Sequence, residues 1–195
     1  MSEIKSALEI ALEKTKDVEA NKESLEASRY ITEGKKTVSR FLSEDDVDLK
    51  KLLGEFAGKQ TKHVREGALQ ALLANVKLPS DEMSLLQSKK AGKGFYALVN
   101  DAKRLAKLLS QMEQFLEDFL QERRRVVEAV DKRFAPILKQ KEQAMSQQLG
   151  ASVKIDPAMD PEYQKLLRDN LTILEDRYSQ VLGQVKQELR RMSEV

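Results

Sequence analysis

One pattern constrains this chain more than any other: apolar residues recur at helical spacing from Phe95 to Leu149. A helix of about 55 residues is a rod of roughly 80 Å, longer than a compact domain of this size is wide. Pro136 lies inside the pattern, so the helix must kink there or accommodate the proline locally. A rod with such a continuous apolar stripe needs a second helix to cover it.

A second amphipathic segment near the C-terminus can provide that cover. Asp160 is suited to cap a helix, and Pro161 and Glu162 are suited to its first turn, so the sequence predicts a helix over 161–192 after a loop at 150–160. Two long amphipathic helices joined by a short loop bury their stripes most simply by folding back antiparallel. We therefore predict a helical hairpin.

A bend centred near Ile155 sets a definite register for this hairpin, in which apolar residues of one helix face apolar residues of the other. The facing groups are Val130 with Val181, Val126 with Val185, Phe119 with Met192, Phe134 with the region of Leu174 to Tyr178, and Arg123 to Arg125 with Lys186 to Arg190.

The N-terminal half predicts several shorter helices. Residues 2–42 form one interrupted helix or two consecutive helices, with a bend near Asn21, because 19–23 has no apolar position. A second helix begins at an N-cap on Ser43 and runs to about Val76. Its glycines indicate close approach of another helix; they are Gly54, Gly58 and Gly67.

The next predicted helix is short, spanning 81–88, with Ser80 or Asp81 as its cap after Pro79. The glycine-rich segment from Lys89 to Gly94 then interrupts the chain and marks the strongest internal boundary.

These elements together predict an all-α fold. An N-terminal helical portion, residues 1–92, packs on one end of a long antiparallel, coiled-coil-like helical hairpin, residues 93–195, whose loop lies near 150–160. Only 8 glycines and 4 prolines are present, too few for the turns of a β-sandwich or barrel, and 34% of the residues are charged, as in long helices.

The chain also lacks signals for export or membrane insertion. Its first residues are acidic and amphipathic, without the apolar core of a signal peptide. No uncharged apolar run approaches the roughly 18 to 20 residues that span a bilayer. Because there is no cysteine, disulfides and thiolate metal sites are excluded as well. We expect a soluble, cytoplasmic protein that is not inserted in a membrane.

Catalytic residue types are scarce. His63 is the only imidazole, and Gln60 stands where a di-iron Glu-x-x-His motif would need glutamate. The acidic run 44–48 lacks the spacing of an EF-hand. No nucleophile elbow, Walker A motif or Rossmann glycine pattern is present. We expect no enzyme activity, no cofactor and no metal site.

Two basic clusters depart from the even mixture of charges. Residues 89–107 contain six basic residues and a single acid, Asp101. The first three lysines surround a glycine-rich segment interpreted as a helix N-terminus, which would favour a bound anion. A solvated basic linker is the alternative interpretation. The candidate anion or nucleic-acid ligands are Lys89, Lys90, Lys93, Lys103, Arg104 and Lys107, and the candidate partner-binding residues are Arg123, Arg124 and Arg125.

Three functions are consistent with this sequence. The leading hypothesis is a non-catalytic interaction or scaffold protein, a subunit or adaptor that binds a protein partner or a second copy of itself. The alternative is a nucleic-acid or phosphate-binding module that uses the basic residues of 89–107. The third is a hairpin-type chaperone, which would require exposed apolar residues near the loop, such as Val153, Ile155 and Met159.

Overall fold

The computed structural model describes the backbone of residues 7–193 and the side-chain surroundings of residues 23–193 apart from Lys59. The described chain is all-α, as predicted. The helices are α1 (Ala7–Ser43), α2 (Leu49–Gly54), α3 (Lys59–Asn75), α4 (Glu82–Gly94), α5 (Ala102–Leu149) and α6 (Pro161–Ser193), with short 3₁₀ turns at Phe95–Ala97 and Pro157–Met159.

The N-terminal boundaries differ from those predicted. Helix α1 continues through Asn21, so the expected interruption of the helix is wrong: the residues at 19–23 are mostly good helix formers even though none is apolar. The predicted helix over 43–76 is two helices, because the chain leaves the helical conformation before Gly58, whose φ is +69°. Its cap is Asp48, which accepts a hydrogen bond from the Lys51 backbone N–H, and not Ser43.

Helix α4 begins as predicted and ends later. The carboxylate of Asp81 accepts a 2.7 Å hydrogen bond from the Ser84 backbone N–H, which confirms its role as the cap. The predicted interruption from Lys89 onward is wrong, because α4 runs to Gly94. A side chain at Gly94 would collide with Leu72, so this glycine serves close packing.

The long helix also begins later than expected. Phe95 starts a 3₁₀ turn, and α5 starts at Ala102 and then continues through Pro136. The start of α6 is confirmed: Asp160 accepts hydrogen bonds from the backbone N–H groups of Glu162 (2.9 Å) and Tyr163 (3.3 Å).

The contacts group the chain into two compact units. Unit 1 contains the chain through Asn75, Lys90–Ala102 and the residues from Arg190 onward, and unit 2 contains Val76–Lys89 and Lys103–Leu189. The predicted division at 92/93 falls within Lys90–Ala102. The packing of an N-terminal portion on the hairpin stays a prediction.

In unit 1, α1 and α3 touch backbone to backbone at two glycines. A Cβ atom at Gly34 would overlap the carbonyl oxygen of Val64, and one at Gly67 would overlap that of Ile31. Residues within 23–30 of α1 and within 57–63, at the start of α3, line one pocket, and both segments precede the glycine contact along the chain. The two helices therefore run in the same direction. The predicted close packing is therefore confirmed for Gly67, whereas Gly54 and Gly58 have no neighbouring atoms where a Cβ would be.

In unit 2, α5 and α6 pack antiparallel through aromatic side chains. Phe119 packs edge-on against Tyr178 with ring centroids 5.1 Å apart, and Phe134 packs against Tyr163 at 5.4 Å. The predicted register is therefore wrong by about two heptads, a shift that again superposes one apolar stripe on the other. Coiled-coil supercoiling stays a prediction.

The loop between these helices explains the shift. The backbone N–H of Val153 donates to Ser146 Oγ (2.9 Å), and that of Ile155 donates to Glu142 Oε1 (3.0 Å). The loop thus folds back along the last turns of α5, so α6 begins beside Lys141, to which Asp160 is bonded.

Candidate interaction surfaces

The predicted basic residues of α4 lie in its C-terminal half, so the predicted helix N-terminus at this place is wrong. Lys89 is half-buried and forms an ion pair with Glu117. Lys90 donates to the Glu44 backbone carbonyl at 2.9 Å and to an Asp45 carboxylate oxygen at 3.0 Å. Lys93 is exposed in the last turn. Two of these three lysines therefore form intramolecular ion pairs.

The remaining predicted anion ligands lie on the first turns of α5. Arg104 forms an ion pair with Glu188 of α6. Lys103 and Lys107 are exposed and lie one helical turn apart. Half of the six predicted basic residues are thus paired with acids.

The three arginines at 123–125 have different surroundings. The guanidinium of Arg123 donates to the Ser80 carbonyl at 3.1 Å, and Arg124 forms an ion pair with Glu82. The three arginines do not face 186–190 as a block, because Glu188 pairs with Arg104, but Arg123 and Lys186 line the same pocket. Arg125 is exposed and lines a groove between α5 and α6.

This groove, which we call the hairpin groove, has a volume of about 550 Å³ and a largely apolar floor. Val126 and Ala129 of α5 form one wall, and Ile173 and Leu174 of α6 form the other. Ile173 is 73% exposed, although it lies on a helix whose neighbouring residue, Leu174, is buried. An isoleucine exposed to this extent beside a concave apolar surface is available for a partner.

Charged side chains line the edge of the hairpin groove. Arg177 forms an ion pair with Glu122 across the two helices, and its guanidinium lies 5.2 Å from the centroid of the Tyr178 ring. Because Glu122 is already paired, Arg125 adds a positive charge to this edge.

A polar cluster closes the hairpin near its loop. Lys141 Nζ donates to Asp160 (2.7 Å) and Glu162 (2.9 Å) and lies 5.2 Å from the Phe134 ring centroid. The hydrogen bond from Lys141 is the largest of the effects that lower the pKa of Asp160. The Tyr163 hydroxyl donates to Asp131 at 2.6 Å, and this bond together with burial raises the pKa of Tyr163 to about 12. These contacts fix where α6 starts.

Apolar side chains remain exposed at the loop end. Met159 is 76% exposed, Leu149 66% and Met145 42%. Of the residues predicted for client binding, Met159 is thus exposed, whereas Val153 and Ile155 are half-buried.

Two pockets with basic walls were missed in the sequence. One, in unit 1, has a volume of about 680 Å³ and is lined by Lys62, Arg65 and Arg190; Arg65 donates to the Leu98 carbonyl at 2.8 Å. The other, in unit 2, contains Lys186. Apart from Lys62 and Arg65, which are three positions apart, the basic residues of each pocket are far apart in sequence, so no local cluster indicated them.

His63 is half-buried in α3. Its Nδ1 has no hydrogen-bond partner and lies 4.0 Å from a Glu66 carboxylate oxygen. In the part of the chain that the structure describes, no three histidine or acidic side chains are grouped as metal ligands. Between residues 7 and 193, no helix combines the length and apolar content needed to cross a bilayer.

Comparisons with curated proteins and with solved structures find no match to this chain. A model of a family of unknown function (DUF6657) matches residues 50–191. This range includes the hairpin groove, the polar cluster near the loop and all of α5. Since the match covers more than two thirds of the sequence, the chain belongs to the DUF6657 family.

Proposed function

We propose that this protein is a non-catalytic helical interaction protein, a subunit or adaptor of a larger assembly, which binds a partner helix in the hairpin groove. The exposed Ile173 beside the apolar floor of this groove carries the proposal. Burying an isoleucine side chain contributes about 1.5–3 kcal/mol, enough to make one residue important for binding.

The shape and charge of the groove favour a particular partner. Two packed helices leave a furrow in which a third amphipathic helix buries its apolar face. Arg125 at the edge favours an acidic residue on the flank of that helix. The partner is either another protein with such a helix or a second copy of this chain, whose own α6 carries Glu175 and Asp176 next to Leu174.

Site-specific crosslinking tests this proposal. A photoreactive amino acid at the exposed Ala129, inside the groove, should crosslink to the partner in cells that produce the protein naturally. Ile173→Asp should abolish that crosslink, because it places a charge on the apolar wall. Thr172→Asp adds the same charge at a neighbouring exposed position and should leave the crosslink unchanged. Equal crosslinking by both variants would contradict the proposal.

Light scattering separates the two kinds of partner. If a second copy fills the groove, the purified wild type should be dimeric and Ile173→Asp monomeric, while Thr172→Asp stays dimeric. A wild type that stays monomeric at high concentration assigns the groove to a foreign helix.

A second candidate function is that of a hairpin-type chaperone. Its support is the exposed apolar group of Met145, Leu149 and Met159 at the loop end. Replacing all three with serine should then abolish suppression of aggregation of an unfolded client protein, with no loss of stability.

Nucleic-acid binding through the basic residues of 89–107 receives less support. Lys89, Lys90 and Arg104 are paired with acids, and the extended basic excess typical of such surfaces is reduced accordingly. We therefore favour a protein over a nucleic acid as the partner.

A further inference from the structure

A pocket of about 400 Å³ lies within unit 2, between the segment that precedes α4 and helices α5 and α6. We call it the lysine pocket. Its walls include the side chains of the buried residues Phe119 and Leu182. Its polar lining consists of Lys77, Ser80, Arg123, Glu175, Ser179 and Lys186.

The charges of this lining are unbalanced. Three basic side chains and one acid, Glu175, line the pocket. Among the residues that the structure describes, neither Lys77 Nζ nor Lys186 Nζ has a carboxylate oxygen within 4.0 Å. The arrangement therefore differs from the basic residues nearby, Lys89 and Arg124, which are matched by Glu117 and Glu82.

Lys186 is held in an unfavourable environment for a cation. It is half-buried, and burial lowers its pKa, with the nearby charge of Lys77 lowering it further. Two like charges in a partly desolvated pocket repel each other more strongly than at an exposed surface. A bound anion would remove that repulsion.

Arg123 adds a positioned donor. Its Nη1 donates to the Ser80 carbonyl at 3.1 Å, which fixes the guanidinium at the wall of the pocket. A guanidinium has five N–H donors, so this bond leaves others for a ligand. Ser179 lines the same pocket, and its hydroxyl suits an oxygen of a phosphoryl group. The Ser80 hydroxyl donates instead to the Asp81 carboxylate at 2.9 Å.

We propose that the lysine pocket binds the dianionic phosphoryl group of a small molecule, with Lys77, Arg123 and Lys186 as its cationic ligands. The pocket is larger than a bare phosphate, so the rest of a phosphate monoester lies against the apolar wall. This site is separate from the hairpin groove, and its test does not depend on the proposed function.

The test is a titration of the full chain, labelled with ¹³C at lysine Cε, with inorganic phosphate at low salt. The Cε signals of Lys77 and Lys186 should shift together in a saturable manner. Lys186→Met removes the half-buried charge while keeping the length of the side chain, and it should weaken phosphate binding at least about tenfold. The matched control Lys165→Met removes an exposed lysine of the same unit, one that does not line the lysine pocket, and should leave binding unchanged.

A second titration, with adenosine 5′-monophosphate, identifies whether the ligand is a phosphate ester or the free ion. Adenosine 5′-monophosphate binding more tightly than phosphate, with shifts of the Leu182 methyl signals, indicates a phosphate ester. Equal affinities indicate recognition of the phosphoryl group alone. Both results support the proposal.

Three results would overturn it: no saturable shift of Lys77 and Lys186 at millimolar phosphate, equal phosphate binding by Lys186→Met and wild type, or preference for an acidic peptide over both phosphates. Because Lys186→Met removes a like-charge repulsion, its unfolding temperature should equal or exceed that of the wild type. A loss of binding through unfolding would be visible in the same sample.

Discussion

The helix pair α1 and α3 in unit 1 and the helix pair α5 and α6 in unit 2 are joined by opposite means. In the first, Gly34 and Gly67 remove side chains from the contact, so that the backbones touch. In the second, Phe119, Phe134 and their tyrosine partners fill the space between the helices. One pair runs in the same direction and the other antiparallel.

This contrast shows that two pairs of amphipathic helices can lose stability through opposite kinds of substitution. The glycine contact gains close packing of many backbone atoms and cannot accept additional volume. The aromatic contact gains burial of large side chains and cannot lose volume without leaving a cavity. The two units should therefore respond oppositely to substitutions that add and remove atoms.

The largest expected effect is on the aromatic contact. Phe134 is 1% exposed, so Phe134→Ala should destabilise unit 2 by about 3–5 kcal/mol, because it removes buried apolar area and leaves a cavity beside Tyr163. Chemical denaturation followed by circular dichroism measures the change. Hydrogen exchange should increase in α6 most strongly. An unchanged denaturation midpoint would show that the aromatic contact does not hold the pair.

The next effect concerns the glycine contact. Gly67→Ala adds one methyl group, and its Cβ would overlap the Ile31 carbonyl oxygen, an obstacle that cannot rotate away. We expect unit 1 to lose about 1–3 kcal/mol, as overpacking typically costs, although alanine is the better helix former. The measurement is hydrogen exchange in α3. Gly54→Ala is the control, since no atom lies where its Cβ would be.

The comparison also indicates how much could be predicted. The cap at Asp160, the helix that follows Pro161 and the burial of Phe134 were all apparent in the sequence, because capping and helical periodicity are local signals. The register was not, since a shift of two heptads leaves apolar residues facing each other. The loop contact between Ile155 and Glu142 decides it, and such a contact has no local pattern.

The contact of α1 with α3 in unit 1 corresponds to a repeated sequence pattern that was not used to predict it. Ile31-Thr32-Glu33-Gly34 and Val64-Arg65-Glu66-Gly67 are versions of one short pattern, a β-branched residue followed two positions later by Glu-Gly. The structure places these two segments against each other with matched contacts. Without its partner segment, Gly34 indicates only a position that weakens a helix by about 1 kcal/mol relative to alanine.

The candidate surfaces were predictable in part. Arg125 was a predicted partner-binding residue and lines the hairpin groove, but the exposure of Ile173 depends on the register. Lys77, Arg123 and Lys186 converge from three parts of the chain, which no sequence spacing indicated.

A smaller expected effect is a pH dependence of the stability that Tyr163 gives to unit 2. The Tyr163 pKa is raised from 10.0 to about 12 in the folded chain, so its protonated form stabilises unit 2. This contribution is complete below pH 10 and should be lost as the pH rises from about 10 to about 12. Tyr163→Phe should cost about 1 kcal/mol at neutral pH, because the hydrogen bond to Asp131 is lost.

The measurement is the denaturation midpoint at pH 9 and near pH 11. The difference between the wild type and Tyr163→Phe should shrink at the higher pH. Tyr96→Phe, which changes an exposed tyrosine, is the control. A difference that stays constant would show that the Tyr163 hydroxyl does not favour the protonated form.

The smallest effect has the opposite sign and completes the comparison. Gly183 lies inside α6, and no atom lies within 4 Å of where its Cβ would be, so Gly183→Ala meets no obstacle. Alanine loses less backbone entropy in a helix than glycine does, and we expect unit 2 to gain about 0.5–1 kcal/mol. The same substitution, glycine to alanine, should therefore destabilise unit 1 at residue 67 and stabilise unit 2 at residue 183. Denaturation midpoints of the two variants that move in the same direction would contradict the distinction between a glycine that serves close packing and one that does not.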